Sequence, residues 1–103
     1  MTHRIAKEGD LSQGIDGPPT ALTYFLQAQK TFFGGKRVGL VGDEYEPHTK
    51  YNSREVHQDI QRKILPNDSK TYFEGIQVAR QDDLIADGDK VGIGDGSANF
   101  SVN

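Results

Sequence analysis

The chain has 103 residues, 12 of them basic and 15 acidic, a formal net charge of −3, and only 34% hydrophobic residues. That length suits one domain, residues 1–103, and so little apolar material predicts a thin core that needs outside help, from a metal or a partner chain. Cysteine is absent, which excludes disulfides and thiolate metal sites. The acidic balance argues against nucleic-acid binding, and no apolar run reaches the ~18–20 residues of a membrane-spanning helix.

In chain order, the first element is a short strand through Arg4-Ile5-Ala6-Lys7-Glu8, stopped by Gly9-Asp10. A connector, Leu11–Gln29, carries Gly14, Gly17, Pro18 and Pro19. A hairpin follows: β-prone Thr31-Phe32-Phe33, a Gly34-Gly35 turn, a second strand through Val38–Val41, and a Gly42-Asp43 stop. The middle connector, Glu44–Ser69, is the longest and the most polar. Within it, Val56, Ile60 and Ile64 recur every four residues, Asn52 and Glu55 resemble a capping box, and Pro66 closes the segment. The spacing predicts a short helix over 53–64, with an irregular loop as the competing reading. A second hairpin, Thr71-Tyr72-Phe73, Glu74-Gly75 and Val78–Gln81, ends at Asp82-Asp83. The last connector, Leu84–Gly96, is glycine-rich, and Ser97–Asn103 reads as a final strand.

The two hairpins are copies. Residues 30–43 and 70–83 align at a constant offset of 40 with six identities in 14 positions, and Phe32 faces Tyr72 as a similar pair. Average composition yields roughly one chance identity in such a window. A third copy is divided between the ends: Ser97–Asn103 resembles the first strand, Ser69–Gly75, and Arg4–Asp10 resembles the second strand with its stop. The N- and C-terminal strands are therefore expected to pair, residues 4–8 beside 98–103. The chain then closes on itself with pseudo-threefold symmetry and without open strand edges. The fold expected is all-β, built from small hairpins.

This repeat, with its small residue and Thr before an aromatic strand, then Gly and an acidic stop, resembles the PAAR-repeat family. Ala79-Arg80 is the one literal match to the family's namesake segment. Gly42-Asp43 leading to His48, Gly9-Asp10, and Gly96-Ser97 with Asn99-Phe100 fit the pattern in order and spacing across the chain. The resemblance implies a small cone of three hairpin units. It implies a role as the tip that caps a trimeric β-helical spike, one copy per trimer, in a contractile injection machine. Without room for a toxin extension, the chain is most similar to the spike-tip proteins of contractile-tailed phages. Its expected place is then the virion, on the baseplate spike, with transient contact to a host outer membrane during puncture. A type VI secretion tip is the alternative, and a monomeric β-domain that binds a ligand or partner is an alternative of another class. Strand alternation sends Phe32 and Phe33 to opposite faces. Phe32, Phe33, Tyr72, Phe73 and Phe100 are the candidate partner-binding residues.

No phosphate loop, His-Glu-x-x-His or serine elbow is present, and Gly92-x-Gly94-x-Gly96 lacks the following helix of a dinucleotide site. An enzyme is not expected. The resemblance also implies a metal near the apex. His48 and His57 fall on two family histidines, Asp87 falls on the family cysteine, and Ile15 replaces the first histidine with Asp16 beside it. Two imidazoles with one or two carboxylates suit a divalent ion, zinc or iron.

Overall fold

The computed structural model describes residues 3–13, 18–47, 59–92 and 100–102. The fold is all-β, and the described residues form eight two-residue strands in four antiparallel pairs. β3 (Phe32–Phe33) pairs with β4 (Lys36–Arg37), and β5 (Tyr72–Phe73) with β6 (Ile76–Gln77). The registers, Phe32 opposite Arg37 and Tyr72 opposite Gln77, keep the offset of 40 read from the sequence. β1 (His3–Arg4) pairs with β8 (Ser101–Val102), so the two ends of the chain meet as expected. β2 (Ser12–Gln13) pairs with β7 (Lys90–Val91).

Strands of two residues cannot hold a fold by their own ladders. What joins them is a closed ring of main-chain bonds. The amide of Ala6 donates to the carbonyl of Ala79 at 3.0 Å, Ala79 to Gly39 at 3.0 Å, and Gly39 back to Ala6 at 2.7 Å. Bridges Lys7–Val38, Leu40–Val78 and Arg80–Ile5 flank this ring. A second ring lies beside it, with Glu8 donating to Arg37, Val41 to Gln77, and Gln81 to Arg4, at 2.8–2.9 Å. Each of the three segments thus bonds to the next, and the last to the first.

The ring dictates which side chains it accepts. Its three residues are Ala6, Gly39 and Ala79. A Cβ on Gly39 would stand 2.9 Å from the Ala6 Cβ and 3.1 Å from the Ala6 carbonyl oxygen, so this corner of the ring is closed to any side chain. The neighbours on either side alternate in direction. Ile5, Val38 and Val78 enter one apolar cluster with Ala28 and Leu40, covered by Phe33, Phe73, Ile76 and Val102. Ala6 and Ala79 enter the other, with Leu22, Tyr45, Ile64, Ile85 and Val91.

Each segment then turns on an aspartate. The Asp10, Asp43 and Asp83 carboxylates accept from the amides of Lys7, Leu40 and Arg80, three residues earlier, at 2.9, 2.8 and 2.7 Å. Their own amides donate back to the carbonyls of the same residues at 3.0–3.1 Å. The residue before each aspartate has positive φ: Gly9 at 88°, Gly42 at 95° and Asp82 at 72°. The acidic stop, Gly-Asp twice and Asp82-Asp83 once, is therefore one structural device used three times.

The connectors are more regular than the sequence suggests. After each turn the chain runs out and returns, through bridges Leu11–Ala21, Glu44–Lys63 and Leu84–Lys90. The carbonyls of Asp10, Asp43 and Asp83 accept from the amides of Leu22, Ile64 and Val91, and these three apolar side chains are all buried. Two expectations are corrected here. The helix over 53–64 is not formed in its described part: Asp59–Arg62 is a 3-10 turn, while Lys63 and Ile64 are extended. Ile64 belongs to the core as a strand residue bridged to Ile85, so its spacing from Ile60 was not helical periodicity. Residues 53–58 lie outside the described residues. The C-terminal copy is also shifted by one. Phe100, aligned with Tyr72 in the sequence, instead offers its carbonyl to Ile5, as Thr31 and Thr71 do to Val38 and Val78. A one-residue shift exchanges the faces of a strand, so Ser101 takes the outward place of Tyr72.

Candidate docking face

The hairpin tips build one face of the molecule. Each hairpin turn has positive φ at both central residues: Gly34 at 62° and Gly35 at 81°, Glu74 at 56° and Gly75 at 81°. This is the turn whose twist matches paired strands, and glycine suits it best. Glu74 departs from that rule, and its contacts explain why. Its Oε2 accepts from the amides of Lys30 and Thr31 at 3.1 Å each and from the Thr31 hydroxyl at 2.9 Å. Its Oε1 accepts from the Gln29 amide at 3.0 Å. The second hairpin thus latches onto the base of the first. These donors, led by the Gln29 amide, hold the Glu74 carboxyl below its ordinary range.

Alternation separates the aromatics as expected. Phe32 and Tyr72 point outward and are 53% and 58% exposed. Phe33 and Phe73 turn inward and are half-buried against the apolar cluster. Their rings meet edge to face at 5.4 Å, and Phe100 packs on Phe33 at 5.0 Å. Of the five candidate aromatics, three therefore form a shared plug between the hairpins and two stand proud of it.

Beside the hairpins lies a network of buried and half-buried polar groups, with exposed Asp68 at its edge. Gln27 donates its side-chain amide to the Val41 carbonyl and to Asp43, at 2.9 and 2.8 Å. Forty residues on, Asn67 likewise donates to the aspartate of its own copy, Asp83, at 2.7 Å, but its second bond goes to the Val78 carbonyl at 2.8 Å rather than to that of Gln81, the counterpart of Val41. Arg80 bonds Asp68 at 2.6 Å and Asp83 at 3.4 Å. Burial pushes the Asp43 and Asp83 carboxyls up, against the pull of these hydrogen bonds. The Arg80 hydrogen bond holds exposed Asp68 down. Tyr45 is fully buried, and burial with the charges of Asp10, Asp43 and Asp83 pushes its phenol well up, so it stays neutral. Glu74, Gln27 and Asn67 were not singled out in the sequence. The offset of 40 extends back to Gln27 and Asn67 and could have found that pair.

The expected metal ligands are not brought together by what is described. His48, His57 and Asp16, with Ile15, lie outside the described residues. Asp87 sits in the tight turn between Ile85 and Asp89, where its Oδ1 accepts from the Asp89 amide at 2.9 Å. Among the described residues no group of three His, Asp or Glu is arranged to hold a metal ion. None of them forms a helix long and apolar enough to cross a membrane. No protein-family profile and no curated protein matches this chain.

Proposed function

We propose that this chain is a structural, non-enzymatic tip that caps the blunt end of a trimeric β-helical spike, one copy per trimer, in the baseplate of a contractile phage tail. The observation that carries the reading is the closed ring Ala6–Ala79–Gly39, by which one chain places three like segments around a common centre. Such pseudo-threefold closure matches a partner that is a true trimer. The hairpin face supplies the contact: two outward aromatics over an apolar plug, of the kind that anchors interfaces. Among the described residues, a core of twelve buried hydrophobic side chains beside ten buried polar ones suits a protein that gains stability on docking. On this reading the end away from the hairpin face is the point that meets the host membrane.

The test is co-purification with trimeric β-helical spike fragments, comparing the native chain with a Phe32→Asp, Tyr72→Asp variant. Both residues are exposed, so the variant should keep its melting temperature. Burying two unpaired charges should weaken binding by several kcal/mol, roughly a hundredfold or more. Unchanged binding by the variant would move the interface off this face.

A further inference from the structure

The returning connectors repeat one more main-chain bond in each segment. The amides of Ser12, Tyr45 and Ile85, two residues after the stops, donate to the carbonyls of Thr20, Arg62 and Asp89 at 2.9, 3.3 and 2.8 Å. Ser12, Tyr45 and Ile85 are therefore equivalent positions, and all three are buried. Tyr45 and Ile85 share a cluster with Leu22, Ile64 and Val91 and with Ala6 and Ala79 of the ring, so this cluster draws on every segment. The three positions are chemically uneven: a serine, a tyrosine and an isoleucine. Two hydroxyls here are unsatisfied. The Tyr45 hydroxyl, on a side chain only 2% exposed, has no hydrogen-bond partner among the described residues, and neither has the Thr20 hydroxyl, whose oxygen is buried. Ser12 Oγ accepts from the Thr20 amide at 3.1 Å, which leaves its own O–H to donate. Ser12 and Thr20 are thus tied together by two bonds, on the segment that turns at Asp10. Of the three stop aspartates, Asp10 is also the one whose charge acts most on the Tyr45 phenol.

From this we infer that the core holds one buried water molecule, bonded to the Tyr45 hydroxyl and shared with the hydroxyls of Ser12 and Thr20. A buried hydroxyl without a partner is costly, and native proteins meet that cost with protein groups or with ordered water. A buried water typically makes about three hydrogen bonds to such groups, and three hydroxyls supply that number. The hydroxyls carry no charge, and each can donate or accept, so the site suits a small neutral molecule that does both. Ile85 closes the third equivalent position with an aliphatic side chain. One internal water therefore completes, on two segments, what packing alone completes on the third.

A high-resolution crystal structure of the full chain tests this directly. The expected result is one ordered solvent peak within hydrogen-bond distance of Tyr45 Oη and of the Ser12 or Thr20 hydroxyl. An Oη that bonds directly to a protein group, or that faces only apolar atoms, would overturn the inference. Stability gives a second readout. Tyr45→Phe and Thr20→Val each remove one hydroxyl and nearly keep its side chain's shape. Each is expected to lower the melting temperature by about 4–8 °C, because a bonded hydroxyl is lost. The double variant should lose less than the sum of the two, because both hydroxyls hold the same molecule. A dry, unpaired hydroxyl has the opposite sign, so single variants that melt at or above the native temperature would overturn the inference. Strictly additive losses would overturn the sharing of one water by Tyr45 and Thr20. Should a variant fail to fold, the crystal structure of the native chain decides alone.

Discussion

The two hairpins, at 30–43 and 70–83, share a backbone and divide the labour. Their registers, turn angles and aspartate stops coincide at the offset of 40. Their side chains do not. Leu40 is a buried aliphatic residue in the first copy, and Arg80 is a buried cation at the same place in the second. Gly34 opens the first turn without strain, whereas Glu74 accepts a left-handed conformation to reach the neighbouring hairpin. The difference teaches that main-chain hydrogen bonding repeats in this fold, and that each copy is secured by its own side chains. A variant at equivalent sites should therefore cost different amounts in the two copies.

The largest contrast is expected at the aspartate stops. Asp83→Ala removes the acceptor of the Arg80 amide and the Asn67 side chain and leaves the buried guanidinium with Asp68 as its one remaining carboxylate partner among the described residues, which should cost about 3–4 kcal/mol. Asp43→Ala leaves the Leu40 and Gln27 amides unpaired with no buried charge, a loss of about 2–3 kcal/mol. Denaturant midpoints of the two variants measure the gap, and equal losses would remove the role given to Arg80. Next in size is the ring. Gly39→Ala copies the residue found at 79, yet its Cβ meets Ala6 and Leu22 at 2.9–3.0 Å, so destabilisation of about 1–3 kcal/mol is expected where a conservative change would otherwise be mild. A neutral or stabilising effect would mean that the ring is looser than its contacts indicate.

The smallest effect concerns the latch and appears as pH dependence. The folded-state pKa of Glu74 lies below its ordinary value, so its contribution is complete above the ordinary carboxylate range and is lost as pH falls through the lowered folded value. Asp43 and Asp83 act with the opposite sign. Their raised folded values favour the native state at low pH, and that gain is lost as pH rises through them. Glu74→Gln should thus melt lower than the native chain at neutral pH, and the difference should close on acidification. A gap that persists once carboxylates are protonated would point to lost packing rather than lost charge.

Much of this was legible because it lies in repeated, local signals. The offset of 40, the glycine turns and the Gly-Asp stops gave the hairpins, and the divided third copy gave the meeting of the ends. The return strands of the connectors were hidden, because Thr20–Leu22, Arg62–Ile64 and Asp89–Val91 share a buried aliphatic residue and little else. The loops they close have unequal lengths, which erases any constant offset. Glu74 was hidden for another reason: its partners are main-chain amides 43 to 45 residues away, which leave no mark in side-chain composition. The candidate docking face was half legible, since alternation separates Phe32 from Phe33 but cannot show that Phe33 packs against both Phe73 and Phe100.

The central claim is that one chain with three like segments sits on a trimer, and the mass of the intact complex tests it most directly. Native mass measurement of the tip with a trimeric β-helical spike fragment should give a single species of one tip and three spike chains, at any excess of tip. A species with three tips per trimer, or one tip per isolated spike chain, would contradict it, because the ring through Ala6, Gly39 and Ala79 would then have no threefold counterpart.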